Sequence, residues 1–208
     1  GFLPVDSRVR DIFERQRAVL QDLGLEVIDA APDLRAAPGI FRVLRAWRYT
    51  LAHGARVRDP AKRVVMKPDL VRNTEQGFEL SAEDVALAEG QRTELFHHMR
   101  EFMESFDFLV IPTNPTPPMP LGQTSVEKID GQPMTDYLEG AALKSAISTV
   151  GNPAISVPAG FTPEGWPVGV QIVGHHGADL SVLQFAHAFE EATRVGERLP
   201  ALLDETVS

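Results

Sequence analysis

Cysteine is absent from the 208-residue sequence, which excludes disulfide cross-links, thiolate catalysis and cysteine-ligated zinc while leaving the redox compartment open. Positive charge is scarce as well. Twenty lysines and arginines face 29 aspartates and glutamates, a formal net charge of -9, so the sequence-independent attraction to phosphate that dominates nucleic-acid binding is missing. Nucleic acid and anionic membrane surfaces are therefore not expected as partners. No apolar run approaches the roughly 20 residues that a membrane span needs, and the opening residues lack the basic-then-apolar pattern of a secretion signal. A cytoplasmic location is the expectation. No internal repeat or low-complexity tract occurs either.

What is present has the composition of one globular domain, with 43% hydrophobic and 24% charged residues. The chain opens on Gly1 and then the apolar Phe2-Leu3-Pro4-Val5, with no capping or turn signal ahead of it. It reads as beginning mid-structure, as a piece of a longer polypeptide would.

Asp6 or Ser7 can cap a helix whose positions Val9, Ile12, Phe13, Val19, Leu20 and Leu23 recur at helical spacing, with Gly24 ending it. Leu25 to Asp29 follows as a short strand, bounded by Gly24 and Pro32. Ile40, Val43, Leu44, Trp47 and Leu51 predict one helix, after which charges and prolines break the period, so that much of 53–78 reads as a surface excursion. Ser81 and Asp84 form a capping box ahead of a long helix with an apolar stripe from Val85 through Ala88, Leu95, Phe96, Met99, Phe102 and Met103 to Phe106. The apolar run from Asp107 to Pro112 predicts a strand covered on both faces and central in a sheet. The five prolines from Pro112 to Pro120 then require a stiff, extended connection. An Ala-rich helix over Tyr137 to Val150 precedes two strands, Ala154 to Phe161 and Val168 to Val173. The short turn Thr162-Pro163-Glu164-Gly165 should pair them antiparallel. Asp179 or Ser181 caps a last helix carrying Val182, Phe185, Ala186 and Phe189, closed by Gly196.

Nucleophilic acyl transfer needs an activated hydroxyl, a base within reach and donors for the oxyanion. The G-x-S-x-G elbow is absent. Ser125 and Lys128 match S-x-x-K without the companion motifs of that class, and Lys144 with Ser148, four apart on a predicted helix, reads more readily as a solvated face than as a base and nucleophile. The six histidines form no H-x-x-x-H or H-E-x-x-H, and His97 with Glu101 reads as a surface contact. No metal and no phosphate loop is indicated.

Four stretches follow one another in a recognisable order: Phe106 to Thr113, Gly151 to Phe161, Gly165 to Gly174, and the helix opened by Asp179. With the opening Gly1 to Asp6, this order resembles the amidase signature family, over nearly the whole chain and as that family's C-terminal part. The weakly patterned region 30–78 is where the family itself varies. The resemblance implies an α/β fold, a mixed β-sheet flanked by helices, with residues 1–208 forming the C-terminal part of a single domain. It implies hydrolysis of a carboxylic amide through a serine nucleophile, a second serine in a cis peptide and a lysine base. Those three lie upstream of anything similar to this sequence, the serines in a Gly/Ser-rich stretch that is not found here, so no catalytic residue is assigned and no cofactor is implied.

What this part can supply, by the same resemblance, is sheet strands and one wall of the acyl pocket. That points to Thr113, Asn114, Lys144 and Ser148 as substrate contacts, with a small amide as partner once the N-terminal part is in place. Gly151 and Pro153 have a structural reading of their own, fixing a turn before a buried strand, and Gly169 would let two layers approach closely. Two departures count against the amidase-like component of a glutamine-dependent tRNA amidotransferase: Ser148 stands where many members have Asn, and the acidic residue such members carry is not evident around Ala141. That amidotransferase component, a non-catalytic partner-binding remnant and a trimmed fragment without independent function, which would self-associate through uncovered apolar faces, are the alternatives, and a homo-oligomer is open as a state of association. Assayed alone, the 208-residue polypeptide is expected to release no acid or ammonia from a carboxylic amide, and turnover by this chain alone would overturn the assignment of its nucleophile elsewhere.

Overall fold

Asp6 accepts the backbone amide of Arg8 at 3.0 Å and so caps α1 (Ser7–Asp22), which buries Val9, Ile12 and Leu20. The computed structural model describes residues 3–198, and Gly1 and Phe2 of the apolar opening lie outside the described residues. Gly24, at φ +84°, ends the first helix as its sequence predicts. The strand expected over Leu25 to Asp29 does not form. Its strand formers find no neighbouring strand; the Val27 carbonyl is taken instead by Arg17 Nη1 at 3.1 Å, and Ile28 is exposed.

The second correction concerns 53–78. α2 (Ala37–Val57) runs well past Leu51, and α3 (Pro60–Arg63) and α4 (Pro68–Glu79) follow it. The prolines expected to break the period open these helices, since a first-turn residue needs no N–H partner. Asn73 and Thr74 on α4 are fully buried, so the segment is a packed helical hairpin and not a surface excursion. Gly77 makes the contact between α2 and α4 possible: a Cβ there would lie 2.1 Å from the Ala46 carbonyl oxygen and 2.6 Å from Thr50 Cγ2. Of the apolar positions read into α2, Ile40 and Leu44 are buried, whereas Trp47 and Leu51 face outward.

The capping box opens α5 (Ala82–Met103): Ser81 Oγ accepts from the Asp84 amide at 3.1 Å, and Asp84 Oδ2 accepts from the Ser81 amide at 2.8 Å. Its buried stripe is Ala88, Leu95, Met99 and Met103. β1 (Leu109–Pro112) follows, then a two-residue hairpin of β2 (Lys128–Ile129) and β3 (Gln132–Pro133), and α6 (Ala142–Val150), which starts five residues later than its Ala-rich pattern predicts. β4 (Ala154–Phe161) and β5 (Pro167–Val173) pair antiparallel as expected, and α7 (Asp179–Thr193) closes the fold. Ala178, not Asp179 or Ser181, occupies the N-cap of α7, and the helix ends at Arg194 in a left-handed conformation before reaching Gly196.

The strand order is β1-β5-β4. β1 is thus an edge and β5 the centre among the described residues, because β5 is the strand that both others can reach. Both pairings are antiparallel, so the mixed character expected of the sheet is not seen in this segment. Alternation along the strands sends Leu109 and Val173 into a cluster with Ile40, Leu44, Leu95, Met99, Ala146 and Ile147 from α2, α5 and α6. Val157, Val168, Val170 and Ile172 enter a second cluster with Ile12, Val182, Ala186 and Phe189 from α1 and α7. The result is three layers: helices, sheet, helices.

Gly77→Ala should force α2 and α4 apart and destabilise the chain by about 2–3 kcal/mol in urea denaturation. Gly90→Ala, in an open helix interior with nothing within 4 Å of the added methyl, should instead stabilise it by about 0.5–1 kcal/mol.

Candidate substrate pocket

The Pro-rich segment leaves β1 as an extended loop and folds back over the end of β5. Between them lies a cavity of about 330 Å³, lined by Asn114, Pro115, Thr116, Pro117, Pro118 and Met119 from the loop, Val126 and Gly140 from the chain leading into α6, Lys144 from the first turn of α6, and Pro167 to Gly169 from β5. Mostly apolar walls with a few convergent polar groups are the usual make-up of a small-molecule site. A wider depression of about 590 Å³ at the joint of α3 and α4 is less apt. Its charged groups are already engaged, Arg63 with Glu75 and Arg72 with Asp69.

Three of the four residues expected from the resemblance gather here. Lys144 Nζ donates to Asn114 Oδ1 at 3.1 Å, across the mouth of the cavity. Thr113 lies just behind: its amide donates to the Gly169 carbonyl at 3.0 Å, and its hydroxyl is 2.7 Å from Ser156 Oγ. Ser148 is set apart, its hydroxyl donating to the Lys144 carbonyl at 3.2 Å and not meeting the ammonium. The Lys144–Ser148 pair is thus no base and nucleophile. Ser125 and Lys128 are not hydrogen-bonded to each other among the described residues, and Glu101 pairs with Arg100 while the His97 ring stacks edge-on against Phe96. No cluster of potential metal ligands occurs among the described residues.

Gly169 behaves as its sequence reading predicts. A Cβ there would sit 3.0 Å from Ser156 Oγ, 3.1 Å from the Val157 carbonyl oxygen and 3.2 Å from Thr113 Oγ1. Its lack of a side chain is what lets the two hydroxyls meet over β5. Ser156 escaped the sequence reading, although the strict alternation of β4 put it on the face opposite Val157.

The loop is tied down on every side by residues distant in sequence. The Asp6 amide donates to the Pro115 carbonyl at 2.8 Å, Arg10 pairs with Asp130 at 3.1 Å, and Lys67 Nζ donates to the Thr124 carbonyl at 3.2 Å. On α2, Arg42 forms an ion pair with Asp136, and one turn on Arg45 Nε donates to Tyr137 Oη at 3.2 Å while stacking on Tyr49 and Tyr137 at 4.5 and 5.6 Å from the ring centroids. Asp136 Oδ1 in turn accepts from the amides of Leu138 and Glu139 at 2.9 and 3.0 Å, capping the turn that leads into α6. Partial burial works to raise the Asp136 pKa, but the Arg42 guanidinium and those backbone amides outweigh it and hold the carboxyl below its ordinary value.

The family model described as Amidase matches residues 3–183. An acylamidase from Rhodococcus erythropolis is 33% identical over 202 residues, 97% of this chain and 42% of that protein. A glutamyl-tRNA(Gln) amidotransferase subunit from Geobacillus thermodenitrificans is 36% identical over 115 residues, 55% of this chain and 22% of that one. Among solved structures, a crystal structure of an amidase superposes with a TM-score of 0.80 at 26% identity, over 92% of this chain and 43% of the other. The chain belongs to the amidase signature family. It spans about two fifths or less of the length of these relatives. No helix among the described residues is long and apolar enough to cross a membrane.

Because the folded pKa of Asp136 is depressed, its charge stabilises the fold above the ordinary value of 3.8 and that contribution is lost as pH falls through the folded value. Asp136→Asn should therefore cost about 1 kcal/mol at pH 7, and its urea midpoint should converge on that of the unsubstituted chain as the pH drops below 3.8. A gap that widened on acidification would contradict the pairing.

Proposed function

We propose that this chain is the C-terminal part of a single amidase domain, and that the enzyme containing it hydrolyses a small carboxylic amide to acid and amine or ammonia. The nucleophile in this reading is a serine outside the segment, and this part contributes one wall of the substrate pocket. The observation that carries it is the cavity between the Pro-rich loop and β5, with Asn114 and Lys144 converging at its mouth in a chain of this family. Thr113 supports the wall through Ser156 and Gly169, and Ser148, set one helical turn beyond Lys144, is proposed to meet substrate only through the part of the pocket that lies outside this segment. No cofactor is needed for acyl transfer of this kind. The same proposal takes the location to be cytoplasmic and nucleic acid and membrane to be no partners, with which the net charge of -9 agrees.

The relative among the glutamyl-tRNA(Gln) amidotransferases supports a second reading, in which the enzyme works as one component of a glutamine-dependent assembly. Ser148 and Ala141, at positions where Asn and an acid would favour that reading, speak against it.

The deciding assay follows ammonia or arylamine release from simple carboxylic amides by the polypeptide that includes this chain. Turnover of those amides without added partner proteins is expected. Turnover confined to glutamine and dependent on co-purifying proteins would establish the second reading, and no turnover in either setting would overturn both. Asn114→Ala, by freeing Lys144 from its partner, should raise KM for the amide by about three- to tenfold with a smaller change in kcat.

A further inference from the structure

We propose that the pocket selects amides carrying a second, anionic group, a carboxylate bound by Lys144 and Asn114. This deepens the amidase reading and rests on it only for the word amide. The argument begins with charge. In a chain of net charge -9, Lys62 and Lys67 are paired with Asp59 and Asp69 at 3.1 and 3.8 Å. Lys128 stands exposed on β2, outside the cavity lining. Lys144, which does line the cavity, has no carboxylate within ion-pair distance among the described residues; its partner is the neutral Asn114 carboxamide. A cation left uncompensated at a concave surface attracts an anion of the right size.

The donors also converge. Asn114 turns its Oδ1 to Lys144, which fixes the amide so that its Nδ2 group is free to donate, and the ammonium keeps two further N–H groups beyond the one given to Asn114. With Oδ1 engaged, these two side chains offer donors and little to accept with, which suits an ionised carboxylate better than a second neutral amide. Thr116 adds one hydroxyl, which can donate to a carboxylate as well, while Pro115, Pro117, Pro118 and Met119 bring no side-chain donor and the prolines have no backbone N–H to offer. At about 330 Å³ the cavity is at the small end of ligand pockets, which favours a short-chain monoamide of a dicarboxylic acid.

The test compares two isosteric probes, succinamate and succinamide, binding to the polypeptide that includes this chain, by titration calorimetry. Succinamate is expected to bind at least tenfold more tightly in dilute buffer, with the advantage shrinking at about 0.5 M salt as the ammonium is screened. Lys144→Met should collapse the ratio, and Lys144→Arg should keep most of it. Equal affinities, no binding of either probe, or a ratio unaltered in Lys144→Met would overturn the proposal. Hydrolysis of the probes is scored separately. Preference without hydrolysis would count against the amidase reading and leave the anion site standing, whereas hydrolysis without preference would do the reverse.

Discussion

β5 has to serve two apolar layers at once, and the arrangement of everything around it follows from that demand. Val168, Val170 and Ile172 face α1 and α7, and Val173 faces α2, α5 and α6. Both neighbours read their register from it, Leu109 of β1 and Ala154 of β4 standing opposite Val173 on either side. A slip of one residue would drive Gln171 into the layer built around Phe189 and turn Ile172 toward the other. The same alternation collects the polar end of the sheet. Gln171 lies between Ile111 and Ser156, and Thr113 meets Ser156 over the bare backbone of Gly169. The place where the sheet stops being apolar is thus the place where the pocket begins.

The loop above that end cannot hold its own shape, since its prolines remove backbone donors and its only regular element is a two-residue hairpin. It is positioned by contacts from three helices. α1 reaches it through the Asp6 amide and Arg10, α2 through Arg42 and Arg45, and the residue preceding α4 through Lys67. Each of these ties is a partly exposed hydrogen bond or ion pair worth little alone. Acting on one stiff segment, they confine it more than their separate strengths imply, because prolines leave few dihedrals to absorb the freedom that remains.

Elements whose start and period are both written locally were legible in the sequence. The capping box of α5, the end of α1 at Gly24 and the β4–β5 hairpin over Thr162 to Gly165 all depend on residues within a few positions of one another. The failures have a common cause in distance. Leu25 to Asp29 has the composition of a strand but no partner to pair with, and α4 hides behind Pro68, whose meaning as opener or breaker depends on whether Val71 and Thr74 have something to pack against. Asn114 and Lys144 were singled out through family resemblance, yet their hydrogen bond spans 30 residues and no local pattern announces it. Arg42 and Asp136, 94 apart, were out of reach altogether.

The two halves of this design tolerate change differently. Removing methyl groups from Val170 or Ile172 would open a cavity between two packed layers, with costs that grow with the volume left empty. Asn114 and Lys144 are exposed, contribute nothing to either apolar cluster and, among the described residues, their side chains hydrogen-bond to each other alone. A sheet held by burial and a loop held by scattered polar ties can therefore change independently, so that the pocket wall can be rewritten without disturbing the register that places it. On this reasoning the buried positions of the Gly151 to Pro158 and Gly165 to Gly174 stretches, which carry the family likeness and set the register, are the least informative about substrate. The few polar side chains of the loop and of the first turn of α6 are the most informative.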